Sequence, residues 1–408
     1  MLLSLIKNEF IKIFKRSKTW IVFVLFLLFI ALTVYGTWKS DKNMREWHSP
    51  EYQLQMAEEQ LSYMENELKT AEAAGDEEWI KSINSSIEHY EQTIELNKKI
   101  LEEGISEDSW KMELDMSIAN VKNAIKEYEE NGTKERYKVD YLSLQEELEN
   151  LEYLKENNIM PLKGWEYQEY NFLESLTMIL SIGLLAAGIA VFMSDILSGE
   201  STPPTLKFLL VQPVSRGKIL FSKYIVSVIT VLTLIIVPEI IGMTFVNLTS
   251  NVNASDYPIR VGQQYEKVFN PEYGEMVLEK IPETSEMITN MDFAFRSIGY
   301  QALFIIACCS VIFMFSTIFK SSMISMAISV ISTIFLSIGA QVIGTLKEYS
   351  HLLFTTYADS SSLVTSKLAL MYNNENLTIT NGIICIALTI IISYLISHIN
   401  FTKKDILI

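Results

Sequence analysis

Thr19 to Thr37 reads TWIVFVLFLLFIALTVYGT, a run without a single charged side chain. As a helix it would rise about 28 Å at 1.5 Å per residue, close to the thickness of a bilayer's hydrocarbon core. A secretory leader has a shorter apolar centre and ends in small residues. Val34-Tyr-Gly-Thr-Trp38 offers no such cleavage site, so the run is expected to stay in the chain as a membrane span. Trp20, Tyr35 and Trp38 fall where aromatic side chains favour the two interfaces. Comparable apolar runs recur at 173–193, 225–247, 298–319, 322–343 and 382–400. The fold expected is an all-α polytopic membrane protein with six transmembrane helices.

Between the first two spans lies a hydrophilic insert, 38–172. The 408-residue chain has a formal net charge of −16. Residues 39–172 hold 32 acidic and 15 basic side chains, essentially the whole imbalance. An acidic chain of this kind excludes nucleic acid as a natural partner. Apolar residues in the insert step by three and four. They do so from Leu54 through Ala57, Leu61, Met64 and Leu68 to Ala71, then from Ile80 to Leu101 with Asn97 interrupting. The pattern returns from Leu114 to Tyr128 and from Tyr137 to Leu151. That is the seam of a coiled coil. Gly75, Gly104 and Gly132 fall between the segments as helix stops. Four helices of roughly 30–40 Å, paired as antiparallel hairpins, are expected. Their acidic faces are those of a solvated surface, or of a dock for a cationic partner.

Two further polar segments separate spans. Residues 248–297 are of mixed charge without periodicity, and little regular structure is expected. Residues 344–381 include Leu352, Phe354, Tyr357, Leu363 and Leu368, which suit short interfacial helices. Basic side chains set the topology. Lys7, Lys12, Lys15, Arg16 and Lys18 lie in the N-terminal segment 1–18, whose Leu5, Ile6, Phe10, Ile13 and Phe14 share a helical face. Lys207, Arg216, Lys218 and Lys223 lie in 194–224, Lys320 in the tight turn between the fourth and fifth spans, and Lys403 and Lys404 in the tail 401–408. By the positive-inside rule both termini are cytoplasmic and the helical insert is extracytoplasmic.

The segment 194–224 breaks at Pro203-Pro204 and again at Pro213, with Leu206, Phe208, Leu209, Leu210 and Val211 between. Proline is tolerated at a helix start and disfavoured inside, so a short helix between two turns is expected. Glu200, Thr205, Leu206, Leu209, Leu210, the run Pro213-Val-Ser-Arg216 and Lys223 resemble the loop between the second and third spans of ABC-2 type transporter permeases. The chain has Pro204-Thr205 where that family usually has Gly-Thr. Glu9 and Lys12 before a basic cluster resemble the family's N-terminal arm, and Phe401-Thr-Lys-Lys-Asp405 its ending. The resemblance implies that 205–211 is a coupling helix docked on a separate ATP-hydrolysing subunit, and that Glu9 and Lys12 contact that subunit too. It implies a pair of permease subunits in the cell membrane. Glu200, Arg216 and Lys223 would position the helix by charge, and Leu206, Leu209 and Leu210 would fill the groove.

No G-x-x-x-x-G-K-[ST] motif occurs, so ATP and magnesium are expected on the partner and no cofactor on this chain. No H-E-x-x-H, G-x-S-x-G or C-x-x-C motif occurs. Cys308, Cys309 and Cys385 all sit in apolar runs and the four histidines are scattered, so neither a disulfide framework nor a metal site is expected. Glu239 follows Pro238 within the third span, and an ionisable residue at membrane depth is a candidate for the substrate pathway. The function expected is the permease subunit of an ATP-driven exporter of a peptide, antibiotic or other amphiphile. The alternative is a membrane receptor, sensor or target-release (immunity) protein that uses the helical insert without net transport.

Overall fold

The computed structural model describes residues 2–104, 107–134, 138–201, 214–250, 252, 254–270 and 274–403. The chain divides into two compact units, Gly36–Tyr167 and, around it in sequence, Met1–Tyr35 with Gln168–Ile408.

The larger unit starts with α1 (Leu2–Phe14) and α2 (Ser17–Trp47). Their corner is held by Thr19 Oγ1 donating to the Ile13 carbonyl at 2.7 Å and Trp20 Nε1 to the Phe14 carbonyl at 2.9 Å. Next come α7 (Glu169–Ser181), α8 (Leu184–Met193), α9 (Arg216–Thr249), α10 (Asn290–Ile318), α11 (Ser322–Val342) and α15 (Ile379–Lys403). Among the described residues five helices are long and apolar enough to cross a membrane, and α7 with α8 makes a sixth if the bent pair is one span. The second span, expected as one helix over 173–193, bends by 65° between α7 and α8. The cause is local. Gly183 has φ 104°, a conformation that costs glycine least, and Ile334 Cγ1 stands 3.4 Å from where a Cβ would be.

Helix α10 is the core. It packs against α8, α9, α11 and α15, and Phe304, Ile305, Cys308, Cys309, Ile312 and Phe313 are all but inaccessible. Its sequence is apolar all round, as a central helix requires. Its apolar window is 61% buried, against 17% for α2. Most of that window of α2 is therefore left uncovered by the described residues.

Between α11 and α15 run α12 (Gly344–Glu348), α13 (Ser360–Val364) and α14 (Lys367–Tyr372). Residues 354–364 are buried without interruption, against α7, α10, α11 and α15. They are core rather than interfacial. Tyr357 packs on Gly382 and its hydroxyl donates to the His351 carbonyl at 2.8 Å. Asp359 caps α13, accepting from Ser362 N at 3.1 Å and Ser362 Oγ at 2.7 Å. Burial pushes its carboxyl above the usual carboxylate range, against the pull of those bonds. The segment expected to be irregular contains two antiparallel strand pairs: β1 (Pro258–Val261) pairs with β4 (Glu286–Thr289), and between them in sequence β2 (Tyr265–Asn270) and β3 (Glu275–Lys280) form a hairpin. Strands of four to six residues hold too few alternations to show as a period.

The smaller unit is made of α3 (Pro50–Ala74), α4 (Glu77–Glu103), α5 (Glu107–Glu130) and α6 (Lys138–Glu156). Helix α3 folds back on α4, and α5 on α6. Ser49 caps α3 by accepting from Tyr52 N, and Gly75, at φ 70°, ends it. Asp76 then caps α4, accepting from Trp79 N at 3.0 Å, and Gly104 ends it. The stops read from the sequence are thus the stops observed. Ala57, Ala71, Ile83, Leu114, Ile118 and Leu154 form the buried seams. Asn97 is buried in the seam as well, and donates to the Thr93 carbonyl at 2.8 Å. Lys122–Glu152 and Lys155–Asp115, each at 2.7 Å, cross from α5 to α6 but are more than two-fifths exposed, so each contributes less than about 1 kcal/mol. Where the chain enters and leaves this unit, Asp41 accepts from Tyr167 N at 2.9 Å and from Arg45 Nε at 2.8 Å, with Arg45 over the Trp165 ring.

Among the glycines of the described residues, Gly242 is the one where an added Cβ would meet its neighbours most closely. A Cβ there would stand 2.7 Å from Ile30 Cγ2 and 2.9 Å from Phe172 Cζ, whereas at Gly299 it would meet nothing within 4 Å. Gly242→Val should therefore destabilise the detergent-solubilised protein by about 1–3 kcal/mol. Thermal denaturation of Gly242→Val beside Gly299→Val measures this, and equal losses for both would contradict the packing account.

Candidate functional site

One end of the larger unit gathers the basic segments that are far apart in sequence. Helix α1 packs on the first turns of α9. Lys223, two turns into α9, is 1% exposed, and its Nζ lies 2.8 Å from Glu9 Oε1 on α1. The amphipathic pattern of α1 turns Ile13 inward beside it. Glu9 was expected to contact the ATP-hydrolysing subunit, and Lys223 to position the docking helix by charge. The structure brings the two together as an ion pair within the chain, with Lys223 buried.

Asp195, in the turn after α8, takes Lys18 Nζ at 3.1 Å and Arg16 Nη1 at 3.7 Å. Arg216, at the start of α9, donates to the Thr402 carbonyl at 3.4 Å, the C-terminal end of α15, where a cation is favoured by the helix dipole. Ser316 Oγ, near the end of α10, donates to the Ser194 carbonyl at 2.9 Å and accepts from the backbone N–H groups of Leu197 and Ser198. These bonds fasten the turn that follows α8 to the α10–α11 corner. Behind Lys223, Tyr224 bonds Ser310 at 2.7 Å and packs against Phe313 and Tyr394. Lys7, Lys15, Lys218, Lys320 and Lys403 remain exposed at this end.

Of the remaining predicted coupling residues, Lys12 lies half-buried on α1. Glu200 falls in a 3-10 turn, Ser198–Ser201, with only its backbone described. Thr205, Leu206, Leu209, Leu210 and Pro213 lie outside the described residues. Glu239 is elsewhere, sixteen residues along α9 from Lys223 or about 24 Å of helix. It is inaccessible to solvent, and Gln301 Nε2 of α10 donates to its Oε1 at 2.8 Å. An apolar groove of about 320 Å³ lies between α2, α8 and α9, lined by Leu25, Phe29, Leu185, Phe192, Val231 and Leu234 among others. Asp195, Ser316, Tyr224 and Tyr394 were missed from sequence. Asp195 alone carried a signal there, as an isolated acid at the end of an apolar run.

Comparison with known proteins matches residues 3–406 to a family described as ABC-2 family transporter protein. The chain is also 24% identical over 309 residues to the uncharacterized protein YhcI of Bacillus subtilis (strain 168), covering 74% of this chain and 86% of that protein.

Removing one member of a buried pair strands the other. Lys223→Met should cost about 3 kcal/mol. Glu9→Leu combined with Lys223→Met should recover most of it, because no unpaired charge is left. Denaturation of the single and double variants in detergent measures the difference. A single variant as stable as the parent would show that the pair contributes nothing.

Proposed function

The chain belongs to the ABC-2 family transporter proteins, and from that premise we propose that it is the membrane-spanning permease subunit of an ATP-driven exporter. It works with a separate ABC ATPase that binds ATP and magnesium, and with a second permease subunit across which the translocation path forms. The observation that carries the coupling is the buried Glu9–Lys223 pair, which ties the N-terminal helix to α9 directly after the proposed docking segment 205–211. A push on that segment by a closing ATPase would be passed at once to α1 and α9, because a desolvated ion pair resists separation. The exposed lysines at that end support a cytoplasmic position for both termini, and with it an extracytoplasmic position for the unit Gly36–Tyr167. Glu200 and Arg216 hold the docking segment's ends, and Leu206, Leu209 and Leu210 enter the ATPase groove. The apolar groove beside α2 favours an amphiphilic substrate.

A second reading rests on the acidic unit Gly36–Tyr167, which has its own buried seams. In it the unit binds a cationic peptide and the ATPase drives the peptide's release from a target, without net transport. Export into sealed vesicles by the full chain, and by a chain with residues 50–156 replaced by a short linker, separates the two. Export that survives the deletion supports the exporter; no export by either, with peptide binding by the full chain, supports release.

Purification of the tagged chain from membranes in mild detergent should bring down a soluble ATPase in stoichiometric amount. Leu206→Asp with Leu209→Asp should abolish that co-purification and leave the permease folded. A permease that comes down alone from its native membrane would overturn the proposal.

A further inference from the structure

Glu239 and Gln301 leave a specific hydrogen-bonding deficit inside the membrane unit. Gln301 Nε2 donates to Glu239 Oε1 at 2.8 Å, yet Glu239 Oε2, Gln301 Oε1 and Ser297 Oγ are buried without a partner. Ser297 precedes Gln301 by one turn on the same helix, α10, and both are at most 1% exposed. Glu239 Oε2 and Gln301 Oε1 can only accept in their ordinary states, and the single hydroxyl hydrogen of Ser297 can satisfy only one of them. What is lacking is a hydrogen to donate.

Among the described residues no counter-charge is paired with the carboxylate. Among the described residues Gln301 is the polar side chain bonded to Glu239. Among the described residues, none of the other charged and titratable groups on the helices packed on α9 bonds Glu239. These are Lys7, Glu9 and Lys12 on α1, Lys18 and Tyr35 on the larger unit's part of α2, and Glu169, Tyr170 and Glu174 on α7. On α10 they are Asp292, Arg296, Tyr300, Cys308 and Cys309, and on α15 Cys385, Tyr394, His398 and Lys403. Glu169 is bonded by Asn247, eight residues further along α9. Glu9 is taken by Lys223, and Arg296 by Glu286. An ionised carboxylate at membrane depth with one neutral partner is costly.

We propose that Glu239 is an intramembrane proton-binding site, whose bound proton completes the α9–α10 contact and whose release loosens it. The proton resides on Oε2. It removes the charge and turns Oε2 from an acceptor into a donor, for which Gln301 Oε1 and Ser297 Oγ are the available acceptors. No bond other than the O–H forms or breaks. Release returns the unpaired charge and the unmet acceptors together, which favours an arrangement that admits water. The neighbouring backbone suits a change of this kind. Pro238 has no N–H to give the Leu234 carbonyl, so α9 lacks one rung immediately beside the site. The site's chemistry stands whether or not a substrate crosses the unit.

Infrared spectroscopy of the full chain in lipid bilayers at neutral pH tests the proton directly. The wild type should show a deuterium-sensitive protonated-carboxyl band that Glu239→Gln abolishes and Gln301→Leu shifts. A spectrum without such a band, or one unchanged in both variants, overturns the proposal. Hydrogen exchange tests the loosening. After correction for intrinsic rates, amides around 235–246 should exchange several-fold faster at alkaline than at neutral pH in the wild type, and equally in Glu239→Gln. The same rise in Glu239→Gln would remove Glu239 as its cause. Neither reading uses ATPase or transport, so a failure of the exporter reading leaves both outcomes interpretable.

Discussion

Inside a hydrocarbon layer water is not available to repair a missing hydrogen bond, and most of this architecture follows from that one constraint. Helices dominate the larger unit because they satisfy their own backbone. Several buried polar side chains are bonded to a neighbouring element: Lys223 to Glu9, Tyr224 to Ser310, Ser316 to the turn after α8. Each such bond also fixes which helices are neighbours, since a partner lost by rearrangement is not replaced by solvent. The apolar contacts around α10 supply most of the burial. The polar bonds supply the register.

Departures from straight helices occur where the backbone permits them at low cost. Gly183 turns the second span by adopting a positive φ, and the resulting bend lets α8 pack on both α10 and α11. Gly242 lets α9 close on Ile30 and Phe172 with no side chain between. Pro238 interrupts the bond ladder of α9 four residues earlier. The part of α9 that carries Glu239 is thus closely packed on one side and short of a backbone bond within. At the other end of the same helix Lys223 is held by a charge pair. One helix therefore links the end proposed to meet an ATPase with a polar site in the membrane's interior.

The helical unit Gly36–Tyr167 obeys ordinary aqueous rules. Its seams are apolar at steps of three and four, its termini are capped by Ser49 and Asp76, and its glycines stop the helices. Its ion pairs are exposed and weak, so its acidic surface contributes little to stability and is free to serve recognition or solubility. Asp41, buried and bonded by Tyr167 N and Arg45, and Glu166 are exceptions. Burial raises the Glu166 carboxyl above the usual range at the point where the chain leaves the unit.

Composition and period by themselves determined that the chain crosses a membrane several times, where the long spans fall, and that a four-helix insert with stops at Gly75 and Gly104 interrupts them. Those are local properties: an apolar run of bilayer length, or a seam of period near 3.5, needs no distant residue to be read. The bend at Gly183 lay within reach, but a glycine in an apolar run is equally a packing surface, and only its contact with Ile334 distinguishes the two. The strand pairs of 258–289 were not legible because strands of four to six residues hold too few alternations, and the core segment 354–364 because its burial comes from contacts with α7, α10, α11 and α15 rather than from its own pattern. The same holds for the site. Glu9, Lys223, Glu239 and Arg216 could be singled out as charges near or within spans. That Glu9 pairs with Lys223 across 214 residues of sequence, and Glu239 with Gln301, was decided by the tertiary structure alone. A charge advertises that it needs a partner, and only the packing of helices determines which one it gets.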